Sequence, residues 1–288
     1  MRNKHLRKRA GFTMLEVVFV IVILGVVSSI GAEIIAQVYE SYITQRASHR
    51  SSIKTELAAT QIANRLAYAI PGTVIGRKSS GYKAIDNLDA NDYPILQWIS
   101  YDADSFSAYR KPGWSGFADL DACSATSIST PGSDLAKTDT IIKNLSKGAV
   151  KDLSKAALFF PGEYNAHTIG YDTDTSGLVK VSNGSGENLT VASLTGKSIK
   201  EHYKLAWTSY AIVPTDNGDG TFDLTLRYNF QPWNGSHYSN APSAILLRNV
   251  SVFKFIGSAN TIRFKICQQE NIGETYKITT CKEKAVIR

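Results

Sequence analysis

A chain of 288 residues that is 43% apolar and 20% charged has the composition of an ordinary globular protein. Gross disorder, a collagen-like repeat and a multi-span membrane protein are thereby excluded. That length holds one large domain or two small ones and can bury a core without covalent staples. The formal charge of +7 is spread unevenly: Arg2, Lys4, Arg7, Lys8 and Arg9 fall within the first ten residues, and the rest of the chain carries only +2. The basicity belongs to a leader and gives no reason to expect a nucleic-acid-binding body.

Gly11 follows the basic stretch, then Phe12-Thr13-Met14-Leu15-Glu16 and an apolar run that continues to Ala36. Of the 25 residues from Phe12 to Ala36, only Glu16 and Glu33 are charged. As a helix this run spans about 38 Å, enough to cross a hydrocarbon core of about 30 Å. The positive flank predicts a cytoplasmic N-terminus and a translocated C-terminal part. Glu16 is the anomaly, because a carboxylate inside an apolar span costs about 2.5–3.5 kcal/mol on insertion scales. Either it snorkels to the cytoplasmic headgroups or it meets a partner.

The basic leader, Gly11, Phe12, Thr13, two hydrophobic residues, Glu16 and the apolar run together resemble the class III signal of type IV pilins and pseudopilins. The resemblance covers about the first 35 residues. It implies that a membrane prepilin peptidase cuts between Gly11 and Phe12 and methylates the new N-terminus. It also implies that Glu16 pairs with the N-terminal amine of a neighbouring subunit. Such an amine, with a pKa near 8, is cationic at neutral pH and stays so after methylation. Pairing in low dielectric offsets much of the desolvation cost of an isolated carboxylate. In this family the subunit at the extreme tip commonly lacks the Glu, so Glu16 argues against that place. The rival reading is an ordinary secretory signal cleaved after Gly31, which would release a globular protein beginning at Ala32. It needs an unusually long apolar region and leaves Gly11 and Glu16 unexplained.

The helix is predicted to continue to Ile70, since Pro71-Gly72 is the first strong stop. Ile53, Leu57, Ile62, Leu66 and Ile70 suggest an apolar stripe, and alanines fill the interior. Gly25, Gly31 and Ser28-Ser29 are the expected weak points. Residues 71–200 are rich in Gly, Ser, Thr, Asp and Asn and read as a loop-rich insert, with Pro94–Ile99 and Ala156–Phe160 as short strands or helices.

Residues 201–288 read as an antiparallel sheet. Tyr203–Val213, Asp216–Gly220 and Phe222–Phe230 have the pattern of a hairpin, with Phe222, Leu224, Leu226, Tyr228 and Phe230 alternating against polar residues. Strands follow at Ala244–Phe255 and Thr261–Cys267, then a pair at Tyr276–Thr280 and Ala285–Ile287. The expected fold class is α+β: a long N-terminal transmembrane helix, in halves 12–36 and 37–70 behind a cleaved leader 1–11, packed on a C-terminal antiparallel sheet. Pilin-like proteins are similar to this layout.

Cys267 and Cys281 would close a 15-residue loop, far from Cys123. In an exported protein a disulfide between them is plausible, with three free thiols as the alternative, and C-terminal disulfide loops also occur in type IV pilins. Asp172, Asp174 and Ser176 have the opening spacing of a Ca²⁺ loop, but Lys180 and Asn183 stand at its ninth and twelfth positions. An Asx-rich turn is the expected reading, with Ca²⁺ as the alternative. The histidines are scattered singly and no catalytic motif appears, so neither an enzyme nor a cofactor is expected. Arg248, Lys254, Arg263, Lys265, Lys277, Lys282, Lys284 and Arg288 make the C-terminal region basic. Such a set is usually a solvated face; the alternative is contact with DNA phosphates, as proposed for minor pilins of competence systems.

The sequence thus predicts a non-enzymatic pilin or pseudopilin subunit, anchored by one span in an inner membrane with its C-terminal domain periplasmic. Prepilin peptidase, other pilin subunits and an inner-membrane assembly platform are its expected partners, in type II secretion, a type IV pilus or a competence system. A mature chain of about 277 residues exceeds the usual major subunit and implies a minor role.

Overall fold

The computed structural model describes residues 11–88, 93–107, 110–258, 260–273 and 276–287. One helix, α1, runs unbroken from Met14 to Leu66, a length of 53 residues, or about 80 Å. Gly25, Gly31 and Ser28-Ser29 do not interrupt it. Its buried residues begin only at Ala47 and continue through Ser51, Thr55, Ala58, Ala59, Ile62 and Leu66. Their spacing traces one stripe, and the small side chains in it let the helix lie close against a sheet.

Ile62, Leu66 and Ile70 of the expected stripe are buried, but its first two residues are not. Ile53 and Leu57 are 47% and 58% exposed, because the step of five from Leu57 to Ile62 turns the helix about 140° out of phase. The helix also ends earlier than Ile70. The Ala67 N–H still bonds back to Ala63, but Ala69 bridges Ser100 and the Ile70 N–H donates to the Ile99 carbonyl at 2.9 Å. Strand-type partners thus replace helical ones before the proline is reached.

The strands, in chain order among the described residues, are β1 (Ile75–Lys78), β2 (Gly81–Ala84), β3 (Ile95–Ser100), β4 (Asp119–Ser124), β5 (Ser127–Ser129), β6 (Ala157–Phe159) and β7 (Val179–Ser185). They continue with β8 (Asn188–Val191), β9 (Lys204–Ala206), β10 (Thr208–Asp216), β11 (Phe222–Phe230), β12 (Ser243–Ser258), β13 (Thr261–Ile272) and β14 (Tyr276–Ile287). Two short helices, α2 (Ala103–Phe106) and α3 (Leu135–Leu145), lie between β3 and β6. An eight-stranded antiparallel sheet has the order β14-β13-β12-β11-β10-β3-β1-β2, and a six-stranded one the order β4-β5-β8-β7-β6-β9. The fold class is α+β.

The C-terminal half of α1 lies across β12, β13 and β14. Ile62 and Leu66 pack there with Leu96, Trp98, Leu224 and Phe264 in the principal core. A second core around Trp114, Leu135, Phe160 and Leu205 fills the six-stranded layer. Ile70, Ile99, Phe159 and Trp233 join the two layers.

Three details depart from the sequence reading. The stretch 71–200, although more than half of it lies outside helices and strands, supplies β1–β3 to the main sheet and most of a second sheet. Tyr203–Val213 is two strands in different sheets, parted at Trp207, whereas Tyr276–Ile287 is one strand rather than two. The alternation along β11 fails at Asn229, which adopts φ 57°. That bulge turns Phe230 onto the opposite face, against Ile95 and Ala211, while Leu224 and Leu226 face the helix core.

Candidate functional site

The N-terminal signal is built by the start of α1. Thr13 is its N-cap: the backbone is extended (φ −77°, ψ 149°), and the hydroxyl accepts the Glu16 N–H at 3.3 Å. Thr13 and Glu16 stand at the two positions of a capping box, but only the Thr13 half of it is formed, a capping role that the sequence reading missed. An acid in the first turn also faces the positive end of the helix dipole favourably. Among the described residues the Glu16 carboxylate has no hydrogen-bond or ion-pair partner and is exposed. Gly11 and Phe12 lie just outside the helix, Phe12 is 76% exposed, and nothing approaches within 4 Å of the place a Gly11 Cβ would take. Among the described residues nothing crowds the Gly11 side of the bond between them. Arg2, Lys4, Arg7, Lys8 and Arg9 lie outside the described residues.

Beyond Glu16 the helix is apolar and bare. Its most apolar 18-residue window has a mean hydropathy of 2.6, and none of it is buried. Length and composition suffice to cross a bilayer. The exposed stretch ends at the seam with the sheet, which polar contacts stitch together. Arg50 pairs with Glu270, and Ser51 and Thr55 donate to the Gln268 side chain at 3.2 and 3.4 Å. Glu56 pairs with Lys284 and, at 3.7 Å, with Lys282. The Lys284 hydrogen bond holds the Glu56 carboxyl below the usual carboxylate range. Only fold knowledge brings these residues together, since more than 200 positions separate them in sequence.

Cys267 and Cys281 face each other across β13 and β14 and are joined by a disulfide, with Cα atoms 4.0 Å apart. Cys123 is free. Asp172 accepts the Tyr82 hydroxyl at 2.6 Å. Asp174 accepts the Ser176 N–H at 2.7 Å, an Asx turn that also lowers its pKa. Among the described residues no group of three or more His, Cys, Asp or Glu side chains could hold a metal ion.

The C-terminal basic set is divided. Arg248 pairs with Asp223 at 3.1 Å, while Lys282 and Lys284 turn toward Glu56. Lys254, Arg263 and Lys265 are exposed, with Lys265 in register with both Lys254 and Glu283. Arg288 lies outside the described residues, and Lys277 is exposed on β14.

Residues 6–32 match the family model of the prokaryotic N-terminal methylation motif. No curated protein and no solved structure matches the chain. The chain carries the N-terminal signal that marks type IV pilins and pseudopilins.

Proposed function

We propose that the chain is a non-enzymatic filament subunit, a minor pilin or minor pseudopilin. In this reading prepilin peptidase cuts between Gly11 and Phe12 and methylates the Phe12 amine. The apolar half of α1 then holds the subunit in the inner membrane, with the two-sheet domain on the periplasmic side. An assembly platform later pushes it outward among its neighbours.

The division of α1 carries this reading. One end is bound to the sheet, whereas the other is apolar all round and bare. A helix of the second kind is stable only in lipid or among similar helices. Glu16 adds direction. After cleavage each chain ends in a cation just ahead of a positive helix end and carries an unpaired carboxylate one turn further on. Subunits staggered along a filament can match one chain's amine to the next chain's Glu16, which relieves both costs.

Gly11→Val tests the processing step, because a β-branched side chain would crowd the proposed cleavage site where glycine has no side chain. Co-expressed with prepilin peptidase, the variant should accumulate with its leader uncut. Unchanged processing would contradict the proposed cleavage site.

A further inference from the structure

A groove of about 450 Å³ opens beside α2 and β9, at the rim of the six-stranded layer, lined in part by Tyr101, Phe106, Trp114, His202, Tyr203 and Lys204. Its size falls in the range of small-ligand sites. The rings are in contact: Phe106 and Trp114 have centroids 4.8 Å apart, and Trp114 and Tyr203 5.7 Å. Their polar tips are already committed. The Trp114 indole N–H donates to the Asp102 carbonyl at 2.9 Å, and the Tyr203 hydroxyl bonds Thr130 at 2.7 Å. Rings anchored in this way give the groove a rigid, largely apolar floor. Phe106, 46% exposed, forms a rim. Gly116 keeps the wall open: at φ +73° it has no Cβ, and one built there would stand 3.4 Å from the Trp114 ring.

The mouth has the opposite chemistry. The Lys204 ammonium lies 4.8 Å from the centre of the Tyr101 ring. Among the described residues no carboxylate comes within ion-pair distance of it, whereas the nearby Lys200 meets Glu163 at 3.0 Å. Lys204 is partly buried, and desolvation lowers its pKa. A half-desolvated cation without a counter-ion gains more from an arriving anion than an exposed lysine does. The groove therefore favours a ligand with an apolar group for the rings and a carboxylate beside it. Because it is open along one side, it suits the end of something larger whose remainder stays in solvent.

We propose that this groove binds the C-terminal carboxylate of a partner polypeptide whose last side chains are apolar, those side chains packing against Phe106 and Trp114 and the carboxylate pairing with Lys204. Capture of a chain terminus in this way is an established mode of peptide recognition. The proposal stands apart from the N-terminal signal and holds whether or not the chain assembles into a filament.

Isothermal titration of the full chain in detergent tests it, with acetyl-Ala-Leu-Phe as the free acid, the same peptide as its amide, and phenylacetate as probes. Detergent alone is the blank. The acid should bind about tenfold more tightly than the amide, a ratio typical of one charge-assisted contact. Lys204→Met should bring the acid down to the level of the amide. Phe106→Ser, at an exposed rim position that leaves the core intact, should weaken both peptides. Equal binding of acid and amide to the unaltered protein, or a preference that survives Lys204→Met, would overturn the proposal. So would no binding at millimolar peptide. Phenylacetate binding as tightly as the tripeptide acid would overturn the assignment to a chain terminus in favour of a small aromatic acid.

Discussion

Glu56 on the long helix and Lys284 on the outermost strand, 228 positions apart in the chain, are hydrogen-bonded across the seam between helix and sheet. The bond lowers the Glu56 pKa. A depressed carboxylate contributes stability that is fully present above its unfolded-state value and lost as the pH falls through its folded value. Glu56→Gln should therefore lower the melting temperature at pH 7. The gap from wild type should close as the pH falls through the folded-state pKa of Glu56, below which the wild-type carboxylate is protonated as well. The pair is only partly buried, so the effect at pH 7 should be small and shrink further in high salt. A gap that persists unchanged at low pH would show that the charge is not its source.

The buried stripe of the helix predicts a sharp contrast between neighbouring leucines. Leu66 is fully buried and Leu57 is 58% exposed. Leu66→Ala should destabilise the domain by about 2–5 kcal/mol. Leu57→Ala should stay within about 0.5 kcal/mol. Urea denaturation of the two variants, followed by tryptophan fluorescence, decides it. Equal losses would mean that the helix presents a different face to the sheet.

The disulfide fixes the last strand to the sheet. Replacing Cys267 and Cys281 by Ser together should cost about 3 kcal/mol on the chain-entropy model for a 15-residue loop. Because β14 is an edge strand with a partner on one side only, its amides should exchange faster first. Peptide mapping without reductant should show Cys267 linked to Cys281 and Cys123 alkylated. Alkylation of all three would remove the bond from the protein as it exists.

The helix and the C-terminal strands were legible because their signals are local. A long apolar run without proline and strict alternation such as Leu224-Thr225-Leu226 need no knowledge of distant residues. What depends on a distant partner was not legible. The helix stops short of Pro71 because β3 supplies strand-type hydrogen bonds at Ile99 and Ser100. Ahead of Ile62 and Leu66 its buried face is made of Ala, Ser and Thr, whose small size, set by the sheet lying close above them, gives no strong hydrophobic signal. Phe230 fits the alternation by type and breaks it in space, since one left-handed residue, Asn229, resets the period. The N-terminal signal was readable for the opposite reason: Gly11, Phe12, Thr13 and Glu16 lie within a single helical turn and its approach.

Glu16→Ala separates assembly from folding. The Glu16 side chain has no hydrogen-bond or ion-pair partner among the described residues, and the bond to Thr13 uses only the backbone N–H, so the variant should be processed, inserted and folded like wild type. It should crosslink poorly to neighbouring subunits and drop out of the filament. Glu16→Asp should be intermediate, since its carboxylate is set back by one methylene. Normal crosslinking of Glu16→Ala would mean that the carboxylate only snorkels to the headgroups.

The mature N-terminus tests the central claim most directly. Intact-mass measurement of the protein extracted from membranes should show the loss of Met1–Gly11 and one added methyl group on Phe12. A chain beginning at Ala32, or one still carrying its basic leader in cells with an active prepilin peptidase, would contradict it.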